Sequence, residues 1–367
     1  MGTNGHSQSS ALRIVHIVPA LFGENGVVGG AERYALELAR HMSEDAPTTF
    51  VAFGDEPQEH QLGRLHVRVL GPARYVRGVR ANPIAASLIG EVRQADVVHC
   101  HQQHVTASSL SSLVCRLTGR KVFVSDLGGG GWDISSYICT DRWFHGHLHI
   151  SEYSKQAFGH AGKPWAHVIY GGVDTTKFSP NTATPREGTV LFVGRLLPHK
   201  GVDDLIKAVP SDLTLEIIGR PYDAQYHKDL LKLAEGKRVI FRYECDDEGL
   251  VEAYRRALCI VLPSVYRTMY GHETTIPELL GQTLLEGMAC ATPAICTNVA
   301  SMPEIVQDHA TGFIVPPNDP DALRQRILWL RDHADDASRI GEAARRRVIE
   351  KFTWPAVVRK CLQIYNS

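Results

Sequence analysis

Short apolar runs alternate with amphipathic stretches along most of the 367 residues. The run LRIVHIV at 12–18 has the apolar density of a buried strand, and AERYALELARHM at 31–42 repeats its apolar residues at helical spacing. Further strand-like runs follow, namely TTFVAF, ADVVHC, KVFVSD and HLHIS. Strands that alternate with helices predict an α/β fold with a parallel sheet.

The same scheme starts again near residue 189 with TVLFVG, a helix at GVDDLIKAV, and the strands LTLEIIG, KRVIFRY, ALCIVLP and TPAICT. Two such series predict two doubly wound, Rossmann-like domains, because the chain is too long for one ordinary core. The stretch 173–188, rich in Thr and Pro, is the predicted hinge. One continuous α/β domain is the alternative, and the number of strands argues against it.

Charge and cysteine content narrow the partners and the compartment. The formal net charge is −1, so no field of the whole protein attracts nucleic acid or a membrane. The eight cysteines include no CxxC pair, and several lie inside apolar runs, which favours a reducing compartment over a disulfide framework. No apolar run is long enough to cross a bilayer. We therefore expect a cytoplasmic protein without a nucleic-acid partner.

The stretch FVGRLLPHKG at 192–201 places two cations, Arg195 and Lys200, just beyond a strand that ends in Gly194. In open α/β sheets, ligands bind outside the carboxyl ends of the strands. The pattern predicts a site for an anion. A surface loop with ordinary charges is the alternative.

The stretch 277–306 carries Glu278 and Glu286 eight residues apart, with Gly281 between them. Because a helix is predicted to begin near Gln282, its unpaired N–H groups would favour an anion in the same space. A glutamate before such a helix can accept hydrogen bonds from sugar hydroxyls. For Glu278, a capping or solvated role is an equally good interpretation of the residue alone.

Four segments in order resemble the retaining glycosyltransferases of family 4, which have the two-domain GT-B fold. FVGRLLPHKG is similar to their phosphate motif, ELLGQTLLE to their Glu-x7-Glu motif, VIYGGVDTTKFSP to their interdomain segment, and GGAERYALELAR to their N-terminal glycine loop and helix. The resemblance covers nearly the whole chain. It implies an active site in the cleft between the domains.

The resemblance implies roles for individual residues. Arg195 and Lys200 would hold the donor diphosphate, Glu286 would bind the ribose, and Glu278 would contact the transferred sugar. The remaining donor-binding positions share an exposed backbone that an anion can approach closely. They are Gly29, Gly30, Gly194, Gly281, Gln282, Thr283 and Leu284.

The implied reaction moves a sugar from a nucleoside-diphosphate sugar, with UDP favoured over GDP, to a hydroxyl acceptor that is a small molecule, a glycan or a lipid. The configuration would be retained, and neither a metal nor a cofactor would be needed, since the donor is a co-substrate. Rival interpretations are a GT-B epimerase or phosphorylase-like enzyme, and a non-catalytic sugar-nucleotide-binding subunit.

The domain prediction follows the family. Residues 1–11 form a polar, disordered lead-in, 12–175 the acceptor-side domain, and 176–352 the nucleotide-sugar domain. Residues 353–367 form a helix, led by Trp354, that returns to the first domain.

The sequence departs from the family at three positions, with Gly171 for an Asn, Ala291 for a Gly, and Leu127 where many relatives carry a catalytic His. Replacement candidates in the first-domain cleft are His99, Asp126 and Asp133. The long loop at 265–277 is a candidate specificity element.

Two histidine clusters and a basic strip complete the candidates. Histidines cluster at 99, 101 and 104 and at 145, 147 and 149, and those two residues apart on a strand share a face that could suit a metal. Arg195 and Lys200 already supply the positive charge, so we predict no metal. Arg74, Arg77 and Arg80 recur at helical spacing. A solvated face or an acceptor-side patch is favoured there over peripheral contact with a membrane.

Overall fold

The computed structural model describes residues 12–21, 30–127, 133–181 and 186–367. The chain divides into two compact units. The first comprises the described residues up to His149 together with Ala161–Ile169 and Val357–Ser367, and the second comprises Ile150–His160 and Tyr170–Ala356.

The first unit is built on one eight-stranded sheet in the order β10-β9-β8-β7-β1-β2-β4-β3. All neighbouring strands are parallel except β3, which pairs antiparallel with β4 at the edge. A separate two-stranded ribbon joins β5 and β6. The strands are β1 (Ile14–Leu21), β2 (Thr48–Phe53), β3 (Gln58–Leu62), β4 (Leu65–Leu70), β5 (Arg74–Tyr75), β6 (Pro83–Ile84), β7 (Val97–Cys100), β8 (Lys121–Val124), β9 (Gly146–His149) and β10 (Ala166–Val168).

Helices α1 (Gly30–Asp45), α2 (Leu88–Gln94) and α3 (Thr106–Thr118) accompany this sheet. The central strands are buried along their described length, as parallel strands covered on both faces must be. Short 3₁₀ turns at Val76–Gly78, Ile134–Ser136 and Asp141–Trp143 connect the elements.

The second unit has a six-stranded, fully parallel sheet in the order β13-β12-β11-β14-β15-β16. Strand order reverses beside β11, so this unit has a topological switch point, where ligands bind in doubly wound folds. The strands are β11 (Thr189–Val193), β12 (Thr214–Ile218), β13 (Val239–Arg242), β14 (Cys259–Leu262), β15 (Ala294–Thr297) and β16 (Gly312–Val315).

Helices of this unit accompany the sheet. They are α4 (Glu152–Ala157), α5 (Val202–Ala208), α6 (Ala224–Leu233), α7 (Asp247–Arg256), α8 (Gln282–Ala289), α9 (Met302–Ile305), α10 (Pro320–Asp332) and α11 (Ala334–Lys351). Among the described residues, no helix is both long and apolar enough to cross a membrane.

The last helix, α12 (Trp354–Asn366), begins in the second unit, and its residues from Val357 onward belong to the first. Its buried face consists of Trp354, Val357, Val358, Cys361, Ile364 and Tyr365, at helical spacing. Near its end, Lys121 Nζ donates to the carbonyl oxygens of Tyr365 and Ser367 at 3.0 and 3.3 Å. The cation thereby satisfies carbonyls that a helix terminus leaves unpaired.

The unit boundaries differ from the predicted domains in three short segments. Residues 353–356, expected in the returning helix, remain in the second unit, and residues 150–160 and 170–175, expected in the first domain, group with the second. The reason is local hydrogen bonding: Ser151 Oγ donates to the carbonyl oxygen of Leu279 at 2.7 Å, and the amides of Glu152 and Tyr153 donate to Glu304 at 2.8 and 2.7 Å.

Three fully buried histidines pack together in the first unit. His16 lies on β1, His99 on β7 and His101 just beyond it, and their ring centroids are 4.4 to 5.2 Å apart. His16 Nδ1 is 2.8 Å from His101 Nε2, while His99 is joined to Ser125 Oγ at 2.9 Å and to Tyr365 OH at 2.7 Å. Burial lowers the pKa of His16 to about 3 and holds the pKa values of His99 and His101 well below their usual range.

These histidines predict a loss of stability in mild acid. In the unfolded chain each binds a proton near pH 6.5, whereas in the folded chain each stays neutral. The folded state therefore binds fewer protons, and the free energy of unfolding falls as the pH drops from 6.5 toward 5, by about 1.4 kcal/mol per pH unit for each histidine.

Chemical denaturation at a series of pH values measures this slope. His101→Gln removes one titrating ring, so its slope should be shallower by about 1.4 kcal/mol per pH unit, whatever its stability at pH 7. His60→Gln, on the exposed strand β3, is the matched control and should keep the wild-type slope. An unchanged slope in His101→Gln would contradict the neutral cluster.

Ala291 occupies a backbone position that suits glycine. It follows α8 with a φ of +58°, in the left-handed region, and its carbonyl oxygen accepts a hydrogen bond from Arg186 at 2.6 Å. An alanine there carries strain from its Cβ. Ala291 thus replaces the glycine of the family, although its backbone keeps the left-handed conformation that glycine favours.

We expect Ala291→Gly to stabilise the second unit by about 1 kcal/mol, because relief of strain outweighs the added freedom of the unfolded chain. Thermal unfolding should shift upward by about 2–4 °C. Ala322→Gly, within α10, is the opposite control and should destabilise by roughly 0.5–1 kcal/mol. A lower melting temperature for Ala291→Gly would show that the position is unstrained.

Candidate functional site

The carboxyl ends of β11 and β12 approach each other through two glycines. Gly194 follows β11 with a φ of +156°, and Gly219 follows β12 with a φ of +153°. A Cβ on Gly219 would lie 1.9 Å from the carbonyl oxygen of Gly194, so only glycine fits there. The strand ends present bare backbone, which a bound group can approach closely.

Arg195 stands directly beside this glycine pair. Its side chain is exposed, and its guanidinium carbon lies 5.5 Å from the centre of the Tyr222 ring. Within the described part of the chain it has no carboxylate partner. A cation held against an aromatic face keeps its charge available to an incoming anion.

Lys200 is held more firmly, at the end of the 3₁₀ turn Pro198–Lys200. Its Nζ is 2.8 Å from Glu278 Oε2, and the two side chains are only 12% and 17% exposed. Gly201 follows with a φ of +65°, and a Cβ there would lie 2.0 Å from the carbonyl oxygen of Pro263. The tight turn packs against the residue that follows β14, and this contact fixes the backbone position of Lys200.

Glu278 is ionised in this arrangement. Burial alone would raise its pKa, but the charge and hydrogen bond of Lys200 and the amides of Gly281 and Leu280 outweigh that effect and lower the pKa. Its other oxygen accepts from the Leu279 amide at 3.2 Å. The two residues that the sequence predicted for diphosphate and sugar therefore form an ion pair with each other.

His199 also belongs to this group, although sequence reasoning did not single it out. Burial, together with the charges of Lys200 and Arg195, lowers its pKa to about 4 against the opposing effect of Glu278. It is neutral at pH 7 beside two cations. Its place one residue before Lys200 was the available signal.

The start of α8 supplies amide groups next to Glu278. Gly281 has a φ of +84°, and the Gln282 side chain donates to the carbonyl oxygen of Gly172 at 3.0 Å. The Leu284 amide donates to the carbonyl oxygen of Gly281 at 3.0 Å, which corrects the expectation that it is open to a ligand. The amides of Gln282 and Thr283 are the ones without an intrahelical acceptor.

Glu286 lies inside α8 and is 6% exposed. Tyr254 on α7 donates its hydroxyl to Glu286 Oε2 at 2.9 Å. This contact fixes the carboxylate, and no sequence pattern pointed to Tyr254. The structure thus brings together Arg195, Lys200, Glu278 and the start of α8, with Glu286 one turn further along the helix.

The first-unit candidates have mixed outcomes. Gly29 lies outside the described residues, and Gly30 is the exposed first residue of α1 with open space around its Cα. His99 is fully buried, so the expectation that it lines an open cleft is corrected. Asp133 is also buried, where it accepts from Ser109 Oγ at 2.7 Å and caps the turn at 134–136. Asp126 is partly exposed beyond β8.

Among the described residues, the ligand atoms of His16, His99 and His101 lie within 4.8 Å of one another, close enough to consider a metal site. Two nitrogens bound to one tetrahedral zinc are about 3.3 Å apart, given Zn–N bonds near 2.05 Å. His16 and His101 approach to 2.8 Å, which is a hydrogen bond. The sequence suggested a cluster of His99, His101 and His104. In the structure His16 takes the third place, and His104 instead contacts Ser135 at 3.2 Å.

Comparison with known proteins covers most of the chain. The family model described as glycosyl transferases group 1 matches residues 174–347, and the model described as glycosyltransferase family 4 matches residues 28–177. The α-maltose-1-phosphate synthase of Mycolicibacterium smegmatis is 27% identical over 325 residues, which are 77% of this chain and 81% of that protein. The synthase of the same name from Mycobacterium tuberculosis is 31% identical over 230 residues, covering 55% of this chain and 56% of that protein.

Solved structures share the fold. Anabaena HepE in complex with UDP and glucose superposes with a TM-score of 0.72 at 16% identity, over 96% of this chain and 98% of that one. Sucrose-phosphate synthase from Thermosynechococcus elongatus gives a TM-score of 0.70 at 20% identity, over 96% and 98%. The two parallel sheets, the two family models and these structures lead to one conclusion: the chain belongs to the family 4 glycosyltransferases and has their GT-B fold.

Proposed function

We propose that this glycosyltransferase moves a sugar from a nucleoside-diphosphate sugar to a hydroxyl acceptor, with retention of configuration and without a metal or another cofactor. The observation that carries the proposal is the cluster at the switch point of the second unit. There an exposed Arg195, a held Lys200 and the start of α8 lie around bare glycine backbone.

The donor is proposed to carry UDP, with GDP as the second choice. HepE is described in complexes with UDP and with UDP-glucose, while the starch synthase IV structure holds ADP. Those ligands belong to proteins under 25% identical, so they support the class of donor more than its base. The sugar itself and the acceptor stay open.

The charge arrangement explains how bond cleavage would be assisted. A departing nucleoside diphosphate gains negative charge, and fixed cations with helix amides stabilise that charge without having to reorganise. Arg195 is free to meet it, whereas Lys200 is shared with Glu278. Two side-chain cations and the α8 amides take the electrostatic role that a divalent metal would otherwise have.

Binding of the donor would change the Lys200–Glu278 ion pair. A diphosphate beside Lys200 would compete with Glu278 for the ammonium group, and it would leave the carboxylate oxygens to accept from sugar hydroxyls. Binding the donor therefore exchanges one ion pair for another, so the loss of the Lys200–Glu278 contact offsets part of the gain from the new pair.

Retention is proposed to occur by front-face attack. A double displacement needs a carboxylate nucleophile, but Glu278 keeps its hydrogen bond from the Leu279 amide even when Lys200 turns to the diphosphate, and Glu286 accepts from Tyr254. Each is thereby oriented to bind rather than to attack. The rival epimerase would convert a nucleoside-diphosphate sugar without acceptor, and a silent subunit would bind donor without turnover.

Arg195→Ala and Lys200→Ala should each lower kcat by roughly 10²–10³-fold, because each removes a group that stabilises charge in the transition state. The rate of UDP release from the donor measures the effect. Arg238→Ala is the matched control, since this exposed arginine precedes β13 at the opposite end of the sheet. Near wild-type turnover in Arg195→Ala would refute the role.

The same assay tests the rest of the proposal. Turnover that persists in excess EDTA supports metal independence, and loss that only a divalent ion restores would refute it. Proton NMR of the first-formed product distinguishes retention from inversion. An epimer formed from donor alone would support the rival enzyme.

The two glutamates should separate by ligand. Glu286→Gln should weaken UDP and UDP-sugar alike, because the ribose is common to both. Glu278→Gln should weaken only the sugar-bearing donor, and it should leave UDP binding equal or tighter, since Lys200 loses its competitor. Calorimetry with both ligands measures this, and equal losses on UDP for both variants would contradict the division of roles.

A further inference from the structure

Helix α3 in the first unit exposes two of its leucines. Its fully buried residues are Ala107, Ser108, Ser111, Ser112 and Cys115, which are small or polar. Leu110 and Val114 pack partly against the core, whereas Leu113 is 55% exposed and Leu117 is 78% exposed. An amphipathic surface helix normally buries its leucines, so the exposed pair makes this surface a candidate for binding an apolar group.

A pocket of about 530 Å³ lies beside this face. Leu110 and Trp143 form its inner part, because both also pack against the core of the unit, and Leu113 and Ile134 form its outer part. Ile134 is 66% exposed. The volume is in the range of sites that hold one small organic ligand, and the lining is mainly apolar.

The charge around the pocket is positive. Arg77, Arg116 and Arg142 line it, against one carboxylate, Asp133. Asp133 is occupied by Ser109 and Ser135. Within the described part of the chain, none of the three arginines forms an ion pair.

The arginines differ in how they are held. Arg116 donates to the carbonyl oxygens of Arg142, Trp143 and Phe144 at 2.9 to 3.2 Å, so its charge is fixed in place but not neutralised. Arg77 and Arg142 are exposed. The pocket therefore combines an apolar interior with three cations whose charge is not balanced.

This combination selects one kind of occupant. A second copy of the chain placed face to face would bring arginines against arginines, which is unfavourable. A flat membrane surface would leave the concave interior empty. An alkyl chain with an adjacent anionic group fills the interior and pairs with the cations.

We propose that this pocket binds the apolar chain and phosphate of an anionic amphiphile. The proposal does not rest on the proposed function, because it concerns binding to the first unit alone.

The test is calorimetry of the full chain with decyl phosphate below its micelle concentration, compared with inorganic phosphate and decyl maltoside. Decyl phosphate should bind, and the two others should bind at least about tenfold more weakly, because each lacks one half of the chemistry. Leu113→Asp should weaken decyl phosphate by about ten- to a hundredfold. Leu117→Asp is the matched control, since it lies one turn away on α3 outside the pocket lining, and it should bind as the wild type does.

Arg142→Gln provides a second variant that leaves the apolar lining intact. It should weaken decyl phosphate by about tenfold and leave decyl maltoside unchanged. Absence of decyl phosphate binding, equal binding of decyl maltoside, or equal losses in Leu113→Asp and Leu117→Asp would each overturn the proposal. Binding to phosphatidylglycerol vesicles that both leucine variants abolish equally would assign the face to a membrane surface and overturn it as well.

UDP calorimetry on the same variants separates the two proposals. If UDP binds and Arg195-dependent turnover is present but decyl phosphate does not bind, the pocket proposal alone fails. If decyl phosphate binds but UDP and donor do not, the transferase proposal fails and the pocket stands.

Discussion

The ion pair between Lys200 and Glu278 ties together two segments of the second unit that lie 78 residues apart. Both side chains are largely withdrawn from water, and such a pair is stable only when its geometry and remaining hydrogen bonds are good. Here the turn at Gly201 fixes the lysine, and the backbone at 279–281 fixes the glutamate. Removing one partner would leave a buried charge unpaired, so the loop before α8 and the loop after β11 depend on each other.

That dependence explains why glycines are concentrated at this end of the sheet. Gly194 and Gly219 permit backbone contact between neighbouring strand ends, and Gly201 permits contact with Pro263. Each contact brings a cation or an amide closer to the same space. The site is therefore a consequence of backbone packing, and its side chains add charge to a shape that glycine makes.

Much of this could be predicted from the sequence, because its strongest signals are local. Apolar runs identified nearly all central strands, and Arg195, Lys200 and the two glutamates stood out by spacing and resemblance. What was missed depends on long-range packing. Tyr254 meets Glu286 across 32 residues, and His16 meets His101 across 85. No pattern in one chain marks such pairs. The prediction that His99 lines an open cleft was wrong. Its place at a strand end indicates where it lies along the sheet, but its burial depends on Tyr365, 266 residues later.

The two units solve opposite electrostatic problems. In the second unit, burial disfavours ionisation of Glu278, but Lys200 outweighs that effect and lowers the pKa of the carboxyl. The carboxylate therefore stays charged at the candidate site. In the first, three histidines are buried with no acidic partner among the described residues, and burial holds all three neutral. His16 is hydrogen-bonded to His101, and His99 to Ser125 and Tyr365, while packing of the rings joins the two sets. A polar core of this kind stabilises only while every ring remains uncharged. The three arginines around the pocket beside α3 are exposed instead, so water can solvate their charge.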